Sequence, residues 1–139
     1  MNLTKLQVQL AIDEKRSKRI YPDTKGKITG GIGRNLTDRG FSDDEIDLMF
    51  KNDIAFVERE LDLNLPWWRQ MNDPRQNVLA NMCFNIGMPK LLGFKNTLAA
   101  MKAGRYEDAA TGMLDSLWAS QVHDRAKRLA ESMKTGEFL

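Results

Sequence analysis

Few residues in this sequence could hold a metal through nitrogen or sulfur, or close a covalent bridge. Cys83 is the one cysteine and His123 the one histidine among 139 residues. A lone cysteine forms no intramolecular disulfide and no thiolate metal site. A lone histidine excludes a multi-histidine centre and any triad built on another histidine. Cys83, between "NM" and "FNIG", reads as a small buried hydrophobe, and His123 as a helix-start residue without catalytic consequence. A long apolar run is also missing. The opening "MNLTKLQVQLAIDEKRSKR" breaks its apolar residues with polar ones every position or two. It contains no h-region, and nothing elsewhere approaches a membrane span. The chain is expected to stay in the cytoplasm that makes it unless something else releases it, with no stable membrane insertion. Charge of one sign is lacking too: 21 basic and 19 acidic residues leave a net +2. That speaks against a nucleic-acid partner, which asks for a basic face, and is compatible with a mildly anionic polymer. No internal repeat or low-complexity segment occurs.

What is present suits one compact domain. A hydrophobic share of 42% supplies a core, and 29% charge is ordinary for a surface. Leu3, Leu6 and Leu10 share one face of an N-terminal helix, and continuing that stripe reaches Glu14. A carboxyl at the end of an apolar stripe is expected to be partly desolvated, whereas Asp13 points elsewhere. Pro22 stops the helix from running far. Residues 19–36, with glycines at 26, 30, 31 and 33, read as a small twisted sheet of two or three strands. "GFSDDEI" then marks a helix start, with Ser42 as cap, Glu45 completing a capping box and Phe41 with Ile46 in the staple positions. Ile46, Met49, Phe50, Ile54, Val57 and Leu61 keep helical spacing through a long helix.

Beyond "LPWWRQ" short helices follow. The first has Asp73 as cap and Pro74 at its first position, and Gly87 ends it after Val78, Leu79, Met82 and Ile86. "MPKLLGF" reads as a tight connector. Leu98 and Met101 mark a helix closed by Gly104, the run from Ala109 to Leu117 marks another, and "HDRAKRLAESMKTGEF" is the last, amphipathic and basic. The fold class is therefore α+β: mostly helical, with one small antiparallel sheet early in the chain.

The chemistry narrows quickly. "GKITGGIG" lacks both Walker and GxGxxG spacing and no parallel βαβ unit follows, so its glycines are read as serving a tight sheet. "KRSKR" at 15–19 reads as a solvated helix end, or as a positive rim that draws an anionic polymer toward Glu14. "WW" at 67 and 68 is core before it is a sugar-stacking platform. That leaves Glu14, Asp23 and Thr29. Glu14 ends an apolar stripe, Asp23 sits on a proline-set turn, and Thr29 lies on a strand able to fold back beside it. Two carboxyls in unlike environments suit glycoside hydrolysis, where one holds a proton for the leaving oxygen and the other stays ionised to activate water.

The run of Glu14, eight residues, Asp23, five residues and Thr29, followed by "GGIG", resembles the active-site segment of phage-type lysozymes, the muramidase endolysins. The likeness continues in order through "NMCFNIG", "GFKNTL", "AGRYEDAA" and "DRAKR…KTGEF", spanning nearly the whole chain. It implies a single lysozyme-like domain with two lobes: a sheet-bearing lobe and connecting helix at 15–60, and a helical lobe from 1–14 plus 61–139, with a peptidoglycan strand in the cleft. It implies hydrolysis of the β-1,4 bond between N-acetylmuramic acid and N-acetylglucosamine with inversion, Glu14 as general acid, Asp23 positioning water or steadying charge, and Thr29 helping to hold that water. Carboxyls about 6.5–9.5 Å apart would leave room for the water. Arg125 matches the arginine that pairs with the family's acid; Phe84, Asn35 and Thr97 match sugar-contacting positions. Arg34 stands where many relatives have histidine, Asn35 replaces an apolar residue, and the link from Thr37 to Ser42 is short, so the N-terminal lobe is expected to be small. No metal or cofactor is called for. A monomer is expected, acting on the wall after release from the host cytoplasm by a holin. The alternatives are a non-catalytic wall-binding module of the same fold, a lytic transglycosylase, or a small helical nucleic-acid binder.

Overall fold

A computed structural model describes all 139 residues, which fall into two compact units, Met1–Met49 and Phe50–Leu139. In the first unit, helix α1 (Leu3–Glu14) starts where Asn2 Oδ1 accepts the Lys5 N–H at 3.0 Å. It stops at Glu14 because Lys15 turns to φ 60° and ψ 148°. Residues 15–19, read above as a helix end, therefore open a strand instead. Strands β1 (Arg16–Pro22), β2 (Ile28–Ile32) and β3 (Arg34–Asn35) form an antiparallel sheet in the order β1-β2-β3. Thr29 stands opposite Tyr21 on one side and Asn35 on the other. A one-turn helix α2 (Leu36–Arg39) follows, capped by Asn35.

The unit ends inside helix α3 (Asp43–Asn64). Its start is the expected capping box: Glu45 Oε1 accepts the Ser42 N–H at 2.7 Å, while Ser42 Oγ accepts the Glu45 N–H at 3.4 Å. No apolar side chain of this unit is buried; only Thr29 and Gly30 are. Leu3 and Leu10 on the α1 stripe stay 58% and 43% exposed, and Glu14 is exposed as well. The desolvation expected for Glu14 is thus not found. Strand β2, against which α1 lies, has glycine at two of its five positions, Gly30 and Gly31, and so offers little side-chain surface there with which to cover a leucine.

The second unit holds the core. After α3 come a 3₁₀ turn (Pro66–Gln70), α4 (Asp73–Ile86), α5 (Met88–Leu91), α6 (Lys95–Lys102), α7 (Tyr106–Leu114), α8 (Leu117–Val122) and α9 (Asp124–Thr135). Asn72, not Asp73, caps α4, with its Oδ1 accepting the Arg75 N–H; Asn accepts that bond as readily as Asp. The run expected as one helix through Leu117 is two. Ser116 Oγ accepts the Ala119 N–H at 3.1 Å and starts α8, leaving Leu117 exposed. The core joins Leu61, Trp68, Leu79, Leu91 and the methionines 71, 82, 88, 101, 113 and 133 with the small faces of α7 and α9. Cys83 is buried as expected. No helix is long and apolar enough to cross a membrane.

Candidate active site

Glu14, Asp23 and Thr29 all lie in the unit Met1–Met49. Glu14 is the last residue of α1, and its side chain rests on the backbone of Gly33, in the turn that joins β2 to β3. A Cβ on Gly33 would lie 2.7 Å from Glu14 Oε2 and 2.8 Å from its Cδ. Gly33 also has φ 66°, which only glycine adopts without strain. The second glycine of "GIG" is thus the floor of the Glu14 carboxyl.

Asp23 and Thr29 share a partner. Asp23 closes the turn after β1, with its N–H donating to the Lys27 carbonyl at 2.8 Å. Its Oδ1 accepts the N–H groups of Lys25 and Lys27, both at 2.8 Å. These bonds orient the carboxyl, occupy Oδ1 and leave Oδ2 without a protein donor. Buried Thr29 donates its hydroxyl to the same Lys27 carbonyl at 3.1 Å. The backbone of one residue, Lys27, therefore meets both side chains, through its N–H and its carbonyl, and a serial spacing in sequence becomes a shared hydrogen-bond node.

The charged residues nearby are tied down. The Arg34 guanidinium bridges both oxygens of Glu45, and the same carboxylate accepts from the Ser42 N–H and Oγ–H. Arg34 chiefly, and Ser42 after it, pull the Glu45 carboxyl down to about 2. Asn35 is spent locally: its Oδ1 accepts the Asp38 N–H at 3.0 Å and its Nδ2 donates to Asp38 Oδ2 at 2.8 Å. Lys27 Nζ meets Asp38 at 3.1 Å, and this bond, ahead of the one from Asn35, lowers the Asp38 carboxyl.

The other predicted residues lie in the unit Phe50–Leu139, in separate places. Phe84 is exposed and packs edge-on against Phe50, with ring centroids 6.0 Å apart. Both line a groove of about 610 Å³ that also includes Trp68, Arg69, Asn81 and Arg125. Arg125 donates Nε and Nη2 to Asn81 Oδ1 at 2.9 and 2.7 Å. Thr97 lines another groove, with Lys90, Phe94, Ser116 and Trp118, and it is buried against Gly112, where a Cβ would lie 2.3 Å from its Oγ1. Trp118 is held there by its indole N–H, which donates to Asn85 Oδ1 at 2.8 Å, and by Phe94 edge-on at 6.2 Å. Asn81, Asn85 and Trp118 were not singled out from the sequence, and Phe50 was read only as part of a helical stripe. Asn77, Asn81, Phe84 and Asn85 repeat at helical spacing on the polar face of α4, and that stripe was the available signal. Of "WW", Trp68 is core as expected and Trp67 is partly buried against it; the Trp68 indole N–H donates to Asp62 at 2.8 Å, and Arg69 stacks 4.3 Å from its ring centroid.

The family model described as "Phage lysozyme" matches residues 13–131. The chain is similar to the pre-baseplate central spike protein Gp5 of Enterobacteria phage T4, 29% identical over 91% of this chain and 27% of that protein. It therefore spans little more than a quarter of that relative. It is also similar to two probable T4-type lysozymes of Dictyostelium discoideum, lysozyme 1 at 22% and lysozyme 2 at 24% identity, each alignment covering 96% of both chains.

Proposed function

Since this chain belongs to the phage lysozyme family, whose activity is of the lysozyme type, we propose that it hydrolyses the β-1,4 bond between N-acetylmuramic acid and N-acetylglucosamine in peptidoglycan. Glu14 is the general acid that protonates the leaving glycosidic oxygen. Asp23 accepts a proton from the attacking water through Oδ2, the oxygen without a protein donor. Thr29, whose hydroxyl is anchored on the Lys27 carbonyl, helps to hold that water. Attack by water on the face away from the leaving group inverts the anomeric centre. Phe84, Asn35 and Thr97 contact sugars in this reading, and Arg125 supports the acid.

The observation that supports it most is the shared Lys27 node, which holds Asp23 and Thr29 together in the unit that also carries Glu14 on Gly33. Proton transfer and water activation by these side chains account for the reaction. The test is product analysis by mass spectrometry after digestion of purified peptidoglycan. Reducing ends on N-acetylmuramic acid are expected, whereas 1,6-anhydro ends would overturn hydrolysis in favour of transglycosylation. Glu14→Gln should lose about 10³-fold or more of the rate, and equal clearing of permeabilised cells by wild type and variant would sink the acid assignment in favour of a wall-binding module. Acting from the host cytoplasm, the enzyme would reach the wall through a holin lesion. Host lysis that needs co-expression of a holin supports that route. The likeness to a spike protein favours a second one, in which the same chemistry is carried on an assembled particle.

A further inference from the structure

The hairpin β2–β3 carries two parts of the proposed site. Thr29 is on its first strand, and Gly33, the floor beneath the Glu14 carboxyl, is in its turn. The last register pair before that turn is Gly30 with Arg34, so Arg34 directly follows Gly33. Its side chain is only 22% exposed, and its guanidinium grips both oxygens of Glu45, at the first turn of α3. The same Nη1 reaches the Gly40 carbonyl at 3.4 Å. Glu45 is fixed in turn by the N–H and hydroxyl of Ser42. A planar fork on a carboxylate fixes orientation as well as distance.

Packing does not duplicate this tether, because no apolar side chain of the unit is buried. The apolar side chains nearest Gly30 of the hairpin are Leu36, half-buried, and Ile20, exposed. A shift of the turn would therefore move Gly33, and the carboxyl lying on it would move too. We propose that Arg34 and Glu45 are a positioning pair that holds the Gly33 turn under the Glu14 carboxyl. The inference rests on the reading of Glu14 as the acid.

The test uses the full chain and steady-state turnover of soluble peptidoglycan strands, at a temperature where circular dichroism shows each variant folded. Arg34→Gln and Glu45→Gln are each expected to lower kcat about tenfold while KM stays within about twofold, since a small misplacement of a catalytic group costs rate rather than binding. Arg34→Lys should recover less than half of the lost rate, because an ammonium cannot bridge both oxygens. Gly33→Ala disturbs the same floor, so Gly33→Ala with Arg34→Gln should lose no more than the worse single variant, short of additivity.

A kcat within about twofold of wild type in Arg34→Gln or Glu45→Gln, with only the thermal midpoint lowered, would reduce the pair to a structural tie. Full additivity with Gly33→Ala would equally overturn the route through the turn. If Arg34→Gln does not fold, Arg34→Lys and Glu45→Gln carry the same comparison. Glu14→Gln separates the two levels. Its inactivity beside an unaffected Arg34→Gln refutes the pair alone, whereas wild-type turnover in Glu14→Gln refutes the acid and the pair together.

Discussion

Lys15 sits where an L side chain is strained, at φ 60° and ψ 148°. The position ends α1 at Glu14 and turns the chain into β1. Lys15→Gly should relieve the strain and raise stability by about 1 kcal/mol net of glycine's added chain entropy, read as a higher thermal midpoint; a lower midpoint would show no strain there. Glu45 makes the clearest pH prediction. Its folded value, about 2, lies below the ordinary carboxylate value of 4.5. The unfolded state therefore binds the proton more readily, and the contribution is present above the ordinary value and lost as pH falls through about 2. Glu45→Gln should be less stable than wild type at neutral pH, with the gap closing between pH 4.5 and about 2 in urea melts at stepped pH. A gap that stays constant across that window would refute the linkage. Glu14 and Asp23 stand out as candidates because serial spacing is visible in one dimension. Their supports do not: Gly33 under Glu14 and Lys27 between Asp23 and Thr29 exist only once the hairpin folds.

Among elements, those with local causes were the readable ones. The Ser42–Glu45 box lies within four residues and forms as its sequence suggests. Ser42→Ala should cost about 1 kcal/mol, seen as a shifted urea midpoint. The break between α7 and α8 had an equally local cause in Ser116, yet the apolar spacing through Leu117 outweighed it in the reading. Gly136 marks the stop of α9 locally, but the partners of that helix end were beyond local reading. Arg75 Nε donates to the Met133 carbonyl at 2.7 Å and Nη2 to that of Lys134 at 3.1 Å, with the guanidinium 3.6 Å from the Tyr106 ring centroid. The Asn72 amide adds a bond to the Gly136 carbonyl at 2.9 Å. Arg75 lies 58 residues from Met133, so no window of sequence shows this cap on the orphan carbonyls of a helix end. Arg75→Ala should cost about 2 kcal/mol and leave the muropeptide products unchanged; a stability within about 0.5 kcal/mol of wild type would refute the cap.

At the scale of the molecule, burial is divided very unequally. Every buried apolar side chain belongs to Phe50–Leu139, while Met1–Met49 relies on its sheet, the Asp23 turn, the capping box and the Arg34–Glu45 pair. Hydrogen bonds and surface ion pairs contribute less net stability than a closed core. Amide exchange should therefore be faster throughout β1–β3 than in α4, α6 and α7; equal protection would contradict the division. In the second unit Leu61 is fully buried, and Leu61→Ala should cost about 3 kcal/mol, read by chemical denaturation.

The sequence by itself determined the class of the fold, its early sheet and the long helix behind the capping box. It also singled out Glu14, Asp23 and Thr29 as candidates, because helical period, capping residues and motif spacing are properties of neighbours along the chain. Tertiary structure alone decided that the α1 stripe stays exposed, that Gly33 is the floor under Glu14, and that Lys27 joins Asp23 to Thr29. It also decided that Arg34 finds Glu45 and Arg125 finds Asn81. The physical reason is common to all of these. A hydrogen bond or a close approach depends on separation in space, and only the folded backbone sets which distant residues come within 3 Å or so of one another.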